Sequence, residues 1–562
     1  MKNSKFSLLV VLTLVLSLFL TACYGGSKEG ASEPKDNGKG TETEETPSVP
    51  QELKILESAE LPSMDSVMAE DAASFEIINN VNEGLYRLDK DQKAIPGMAT
   101  EAPQKSEDGL TYTMKLREDA KWSNGEPVTA NDFVFAWQRA LNPDTASPYG
   151  PYMMIGKIAN ADKVYDKSAK PEELGVKAID EHTLEVKLVK PIEYFDTLMA
   201  FPSFYPQNKK FVEEKGDKFG TNAENLVFNG PFKMTAWGGP TATEWTLEKN
   251  ADYWGAKDVT LEKIQFNVSK DPQASVNAFE ANEADRTPKL ATAAIISQYE
   301  GDKQMQRFLE SSVWWIKMNE KNPALANKNI RRAIALAVDK KALVDDVLQN
   351  GSIVADGVVP REFVSDDSGK DFRDTGKYLE PNKDEAKKLF AQGMKEIGKK
   401  DLTLGYVTQD TETAKLEASF VKEQLEKTLE GLKIEVKNVP FKIRLDLEDK
   451  MDYDLLNGGW GPDYLNPMTY LDLWVTDGPQ NKMGYSNPKY DELIKKADAT
   501  TDKAEQYKLF TEAEKTMLED DVALSPLYQR AVNVLIKEKV EGMVYHPIGG
   551  EYSYQWVKIK GE

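Results

Sequence analysis

Thiol and imidazole side chains are nearly missing from this chain. Its 562 residues include one cysteine, Cys23, and two histidines, His182 and His546. That scarcity excludes zinc centres built from Cys and His, haem ligation, disulfide frameworks and Cys/His nucleophilic dyads. Positive charge is short as well. Lys and Arg number 71 against 93 Asp and Glu, a formal net charge of −22; that sign repels phosphate backbones, so no nucleic-acid partner is expected. There is no Gly-x-Ser-x-Gly elbow, no phosphate-binding loop and no His-Glu-x-x-His. The carboxylate pairs Asp452/Asp454 and Asp345/Asp346 read as a strand and a solvated helix surface rather than an acid/base couple. No enzyme activity, cofactor or metal is expected. Beyond Pro50 no apolar run reaches the ~20 residues that a spanning helix needs.

What is present is a core. Hydrophobic residues make up 40% of the chain, with 21 Phe, 10 Trp and 22 Tyr, and the length amounts to roughly three or four domains at the usual 100–200 residues each. The first residues are of a different kind. Lys2 and Lys5 precede an apolar run over residues 6–20, too short to span a membrane, and Leu20-Thr21-Ala22-Cys23 follows. This reads as a signal peptide over residues 1–22 whose last residues resemble the bacterial lipobox, making Cys23 the lipidated mature N-terminus. Acyl chains insert at ~0.8 kcal/mol per buried CH₂. The stretch after Cys23, up to residue 50, is rich in Gly, Ser, Thr, Pro, Glu and Lys and cannot bury enough surface to fold. Residues 23–50 are therefore expected to form a tether with a reach of about 30 Å.

From Gln51 onward the pattern is mixed α/β. Leu110, Tyr112, Met114 and Leu116 alternate with polar residues, as do Leu184, Val186 and Leu188, which predicts two half-buried strands. Ile330, Ile334 and Ala337 have helical spacing; Asp339 caps a second helix carrying Leu343 and Val347, which Gly351 is placed to stop. Asn382 with Glu385 forms a capping box ahead of Ala386, Leu389, Phe390 and Met394. Strand 402–407, helix 411–430 with Leu416, Phe420 and Leu429 among its apolar positions, and strand 432–439 make a βαβ unit and hence a parallel sheet.

Gly109 to Trp137, centred on Asp119-Ala-Lys-Trp-Ser-Asn-Gly-Glu-Pro-Val-Thr129, resembles almost position by position the signature of the solute-binding proteins of peptide ABC importers (family 5), especially the oligopeptide-binding type. Asn82-Glu-Gly-Leu85, Asn229-Gly-Pro-Phe-Lys233, Ile330-Arg-Arg-Ala-Ile334 through Asp339-Lys340, and Gly459-Trp-Gly-Pro-Asp-Tyr464 also match. The resemblance implies an α/β, periplasmic-binding-protein-like (type II) fold of two lobes with an extra domain, the ligand enclosed between the lobes. By analogy, domain I takes residues 51–93, 223–315 and 531–562, domain II residues 94–222 and domain III residues 316–530, with hinge crossings near 312–319 and 528–532.

The chemistry of a peptide binder follows from what peptides of any sequence share: main-chain N–H and C=O, an ammonium and a carboxylate. Edge strands read the main chain, and one buried carboxylate facing the ammonium sets the register. The resemblance places that carboxylate at Asp463, with Trp460, Gly461 and Tyr464 around it and Tyr149 facing the cleft. Glu70, Phe441 and Tyr528 match positions lining side-chain pockets. Some relatives carry arginines for the ligand's carboxylate at positions that here are Asn457 and Glu448, and Lys442 or Arg444 are the substitutes available. The expected protein is a monomeric receptor anchored on the extracytoplasmic face of the cell membrane through Cys23. It captures oligopeptides and passes them to permease subunits driven by separate cytoplasmic ATPases. The alternatives are a binder of a signalling peptide or metal complex, and a surface adhesin or chaperone-like lipoprotein.

Overall fold

The computed structural model describes residues 49–561, apart from residues 193, 367 and 501. The signal peptide, Cys23 and almost all of the tether lie outside the described residues. Three larger sheets organise the rest. Glu52–Glu57, Lys263–Val268, Glu244–Lys249 and Phe232–Trp237 lie in that order, the first pair parallel and the others antiparallel. Gln104–Lys105, Thr111–Lys115, Thr183–Lys187 and Val176–Asp180 form an antiparallel second sheet. The third has the order Ile353–Val354, Leu524–Leu535, Met305–Met318, Leu455–Trp460, Leu402–Gln409, Leu432–Val439.

The alternating patterns give the strands they predict. Tyr112 and Met114 point into the core opposite Val186 and Leu184, and all four are buried, each contributing about 1.5–3 kcal/mol by leaving water. The signature segment is structural. Trp122 and Trp137 are buried, the Asp132 carboxylate accepts from the Thr129 N–H (2.8 Å) and the Trp122 indole (3.3 Å), and the Trp137 indole donates to the Phe204 carbonyl (3.0 Å). These bonds cap and fix helix Ala130–Leu141. Helix Gly150–Met154 rests on it, because a Cβ at Gly150 would lie 2.4 Å from the Ala140 carbonyl oxygen. A glycine at this spot sets the position of Tyr149.

Three local expectations need correction. The βαβ unit is present, with Leu402–Gln409 and Leu432–Val439 parallel and helix Glu412–Thr428 between them. Its inward face is Ala414, Glu417, Ala418, Val421 and Leu425, while Leu416 is 50% exposed. A buried glutamate turns the helix: Glu417 accepts from Asn457 Nδ2 (2.5 Å) and the Tyr528 hydroxyl (3.1 Å), so a residue that patterning counts as exposed is inside. Asp339 does cap its helix, accepting from the Ala342 N–H (3.0 Å). The helix then widens to a π-turn over Leu343–Leu348 and stops at Gln349 in the left-handed region (φ 46°), two residues before Gly351. Asp452 and Asp454 precede their strand, which begins at Leu455, and Asp454 accepts from Asn322 Nδ2 (2.6 Å) and the Gly405 N–H (2.8 Å). Asn382 caps helix Lys383–Glu396, accepting from the Glu385 N–H and donating to its carboxylate.

Two long strands tie the first and third sheets together. Met305–Met318 and Leu524–Leu535 pair antiparallel, with the register broken between Leu309 and Val313 and between Trp314 and Trp315. Arg286 bridges both Ile55 and Ile536, joining their outer ends to the first sheet. The freed carbonyls stay satisfied: Gln529 Nε2 donates to that of Glu310 (3.0 Å) and the Tyr470 hydroxyl to that of Ser311.

Candidate functional site

Strand Leu455–Trp460 is paired along its length on one side, from Met318 opposite Leu455 to Val313 opposite Trp460. On the other side Leu402–Gln409 accompanies it only at Leu455 and Leu456. Residues 457–460 therefore present main-chain groups on a free edge, and Gly459, Trp460, Gly461, Pro462 and Asp463 line a cavity of ≈ 300 Å³. Glu70, Asp71, Phe75, Tyr149 and Phe201 line it from segments that lie far away in sequence. Gly459 is required for the cavity's shape. A Cβ there would come within 2.9 Å of the Trp314 ring, which lies flat against the strand.

Asp463 emerges from the Gly461-Pro462 turn into this space. Its N–H donates to Thr469 Oγ1 (3.0 Å), and its Oδ1 accepts from the Tyr149 hydroxyl (2.5 Å). The Tyr149 ring is held by Phe201 (centroids 5.8 Å apart, planes 7° apart), Trp460 (6.0 Å, 19°) and Phe75 (5.2 Å, edge-on). Asp463 is 4% exposed. Burial pushes its carboxyl up to about 7; the Tyr149 bond acts the other way and the Asp472 charge adds to the rise.

The basic groups on the cavity wall are already taken. Lys482 pairs with Glu70 (2.6 Å) and with Asp449; Lys317 and Arg444 (2.7 Å) share Glu448. Lys289 bridges Glu310 and Glu551 (2.7 Å each), Arg530 also binds Glu310 (2.6 Å), and Arg286 lies between Glu57 and Glu76. Asp71 spends its carboxylate on the Ser74 N–H and hydroxyl as a helix cap. Asp463 alone on this wall has a buried carboxylate with neither a cation in ion-pair contact nor a helix to cap, among the described residues. No group of three or more His, Cys, Asp or Glu among them is arranged to hold a metal, and no helix among them is long and apolar enough to cross a membrane.

The sequence candidates divide. Asp463, Trp460, Gly461, Tyr149, Glu70 and Phe441 line the cavity. Glu70 is pushed up to about 7 by burial against the pull of Lys482, and Phe441 opens helix Phe441–Asp449 with the Arg444 guanidinium 5.3 Å from its ring centre. Asn457, Tyr464 and Tyr528 lie behind the lining. Asn457 and Tyr528 converge on Glu417, which burial holds at about 7; Tyr528 also stacks on Trp314 (6.3 Å, 4°). Tyr464 donates to Asp472 Oδ2 (3.0 Å) and stacks on Tyr194 (4.8 Å, 1°). Lys442 pairs with Asp446 along its own helix, whereas Arg444 and Glu448 reach the wall. Sequence reasoning missed Trp314, Lys317, Lys482 and Arg530; the adjacent Trp314-Trp315 on a crossing strand was the one available signal.

Residues 93–482 match the family described as "Bacterial extracellular solute-binding proteins, family 5 Middle". The chain is similar to the dipeptide-binding protein DppE of Bacillus subtilis, 31% identical with 96% of each chain covered. It is also similar to the oligopeptide-binding protein OppA of the same organism, 31% identical with 97% of this chain and 98% of that one covered. The solved structure of Listeria monocytogenes OppA bound to peptide superposes with a TM-score of 0.88 at 43% identity, covering 92% of this chain and all of that one. The fold is thus the two-lobe, mixed α/β periplasmic-binding type. With its cavity lined from both ends of the chain and its match running through most of its length, this protein belongs to the family 5 bacterial extracellular solute-binding proteins.

Proposed function

We propose that the protein captures oligopeptides outside the cytoplasm and delivers them to the permease of an ABC importer. The observation that carries this reading is Asp463: a buried, uncompensated carboxylate beside an unpaired strand edge, which offers one charge for a peptide ammonium and main-chain groups for its backbone. The similar proteins, a dipeptide-binding protein, an oligopeptide-binding protein and an OppA bound to peptide, support it. Binding without turnover completes the reading, since the family is one of binding proteins and the cavity's carboxylates other than Asp463 are engaged in ion pairs or a helix cap.

Further parts of the proposal rest on the sequence. Residues 51–93, 223–315 and 531–562 form domain I, 94–222 domain II and 316–530 domain III, the lobes closing over the ligand about the two long strands. A monomer is held to the membrane by lipid on Cys23. The test is calorimetric titration of refolded residues 24–562 with peptides of two to twelve residues, followed by mass spectrometry. One-to-one binding of intact peptides is expected; cleaved peptides would make it an enzyme, and absence of binding at every length would overturn the reading.

A further inference from the structure

Behind Asp463 lies a second buried carboxylate. Asp472, at the start of the turn Asp472–Trp474, accepts the Tyr464 hydroxyl on Oδ2 (3.0 Å), while its Oδ1 is buried with no hydrogen-bond partner. Facing it from the turn after helix Gly150–Met154 is Lys157, whose residue is 7% exposed. The Lys157 ammonium lies 5.4 Å from the ring centre of Tyr464 and 5.6 Å from that of Tyr152, and it donates a long hydrogen bond to the Tyr152 carbonyl (3.4 Å).

Counting charge around this spot leaves a deficit of one. The charged groups facing it are Asp463, Asp472, Asp498, Lys157 and Lys190, with the hydroxyls of Tyr149, Tyr152, Tyr194 and Tyr464 between them. Lys190 is paired with Asp498. Two carboxylates, Asp463 and Asp472, then share one ammonium. Asp463 already has the Tyr149 hydroxyl and Thr469 around it, whereas Asp472 has a bare oxygen and shares Tyr464 with Lys157. The electrostatic ranking agrees. After burial, the Asp472 charge acts on Lys157 most strongly, ahead of that of Asp463, while Lys157 is the strongest influence holding Asp472 down.

We infer that Lys157 is the counter-ion of Asp472, a positioning residue that satisfies the rear carboxylate and so leaves Asp463 as the one uncompensated charge for a ligand ammonium. Two adjacent buried carboxylates without a cation would share a proton, and a free lysine beside Asp463 would compete with the ligand. This inference rests on the peptide-binding reading of Asp463.

The test is a charge-balance cycle read by calorimetry with tri-, tetra- and penta-alanine and their N-acetylated forms. Asp472→Asn is near-isosteric and keeps the Tyr464 bond; it releases Lys157 to Asp463 and should weaken binding about tenfold. Lys157→Met leaves Asp472 to take up a proton, and its smaller loss should vanish above pH 8. The double variant restores neutrality and should return to within about threefold of wild type, as expected for coupled sites; if Lys157→Met does not fold, Lys157→Gln takes its place, and Lys157→Arg should behave as wild type. Losses that add in the double variant, or no loss in Asp472→Asn, would overturn the inference. Acetylation separates the two readings: acetylated peptides that bind wild type as well as free ones, or no binding of any alanine peptide, would sink the role of Asp463 and this inference with it. Binding abolished by acetylation without rescue in the double variant would sink the role of Lys157 alone.

Discussion

The Tyr149 hydroxyl and the Asp463 carboxylate meet across 314 residues of sequence, one from the turn that Gly150 lets pack against helix Ala130–Leu141, the other from the turn after strand Leu455–Trp460. The contact completes the site from the N-terminus of helix Gly150–Met154 and the end of strand Leu455–Trp460. Asp463→Ala should cost peptide binding about 2–5 kcal/mol, the penalty for leaving an enclosed charge unpaired. Tyr149→Phe should cost about 1.5–3 kcal/mol, the range for a hydrogen bond to a charged group. Calorimetry decides; undiminished affinity in Asp463→Ala would show that the ammonium is held elsewhere.

Affinity should follow pH through this same carboxyl. In the empty protein it is raised to about 7 by burial, and only its ionised form attracts an ammonium, so binding of free peptides should strengthen from pH 6 to pH 8. Stability of the empty protein runs the opposite way. A carboxyl raised above its unfolded value of 3.8 adds stability that is complete below that value and is lost as pH rises through 7. Bound peptide should remove part of that loss, seen as a ligand-induced rise in Tm that is larger at pH 8 than at pH 6.

Gly459→Ala should narrow the cavity. The added carbon would meet Trp314 at 2.9 Å, and displacing that ring from its place over Tyr528 should cost about 1–3 kcal/mol, as overpacking does. The expected readout is weaker binding of longer peptides than of short ones, measured on a length-graded series.

A substitution away from the cavity should separate folding from binding. Arg373 and Glu514 form a buried bidentate pair (2.7 Å on each arm), and Glu514 Oε1 also accepts from the N–H groups of Val358 (2.8 Å) and Val359 (3.2 Å). Arg373→Met breaks the pair and should cost about 3–5 kcal/mol of stability by denaturant titration. Peptide affinity in the folded fraction should be unchanged.

On the proposed anchoring through Cys23, Cys23→Ser should release the protein from membranes while leaving peptide affinity intact, because acyl chains, and not the folded part, would then hold it there. Retention of the variant in the membrane fraction would refute lipidation at Cys23.

Much of this was legible because it is local. Alternation in Thr111–Lys115 and Thr183–Lys187 and the βαβ spacing of 402–439 announce strands and a parallel pair, and the Trp460-Gly-Pro-Asp463 stretch brings three candidates to one turn. What was not legible depends on segments meeting. Glu417 reads as a surface residue until Asn457 and Tyr528 reach it from two different strands. That meeting draws both away from the cavity. The partners of Lys482, Lys317 and Arg530 come from up to 412 residues away, and no periodicity encodes such pairings. Tyr464 sits next to Asp463 in sequence, yet it turns to Asp472 and Tyr194 because adjacent side chains leave a turn in different directions.

The free edge at residues 457–460 is the kind of surface that makes proteins aggregate, since unpaired main-chain groups template any passing strand. Here it is walled by Trp314, Tyr149 and helix Phe441–Asp449. Only a chain slender enough to be enclosed can reach it, so a folded neighbour, however sticky its own edge, is kept out. Confinement turns a hazard for solubility into a filter for unstructured cargo.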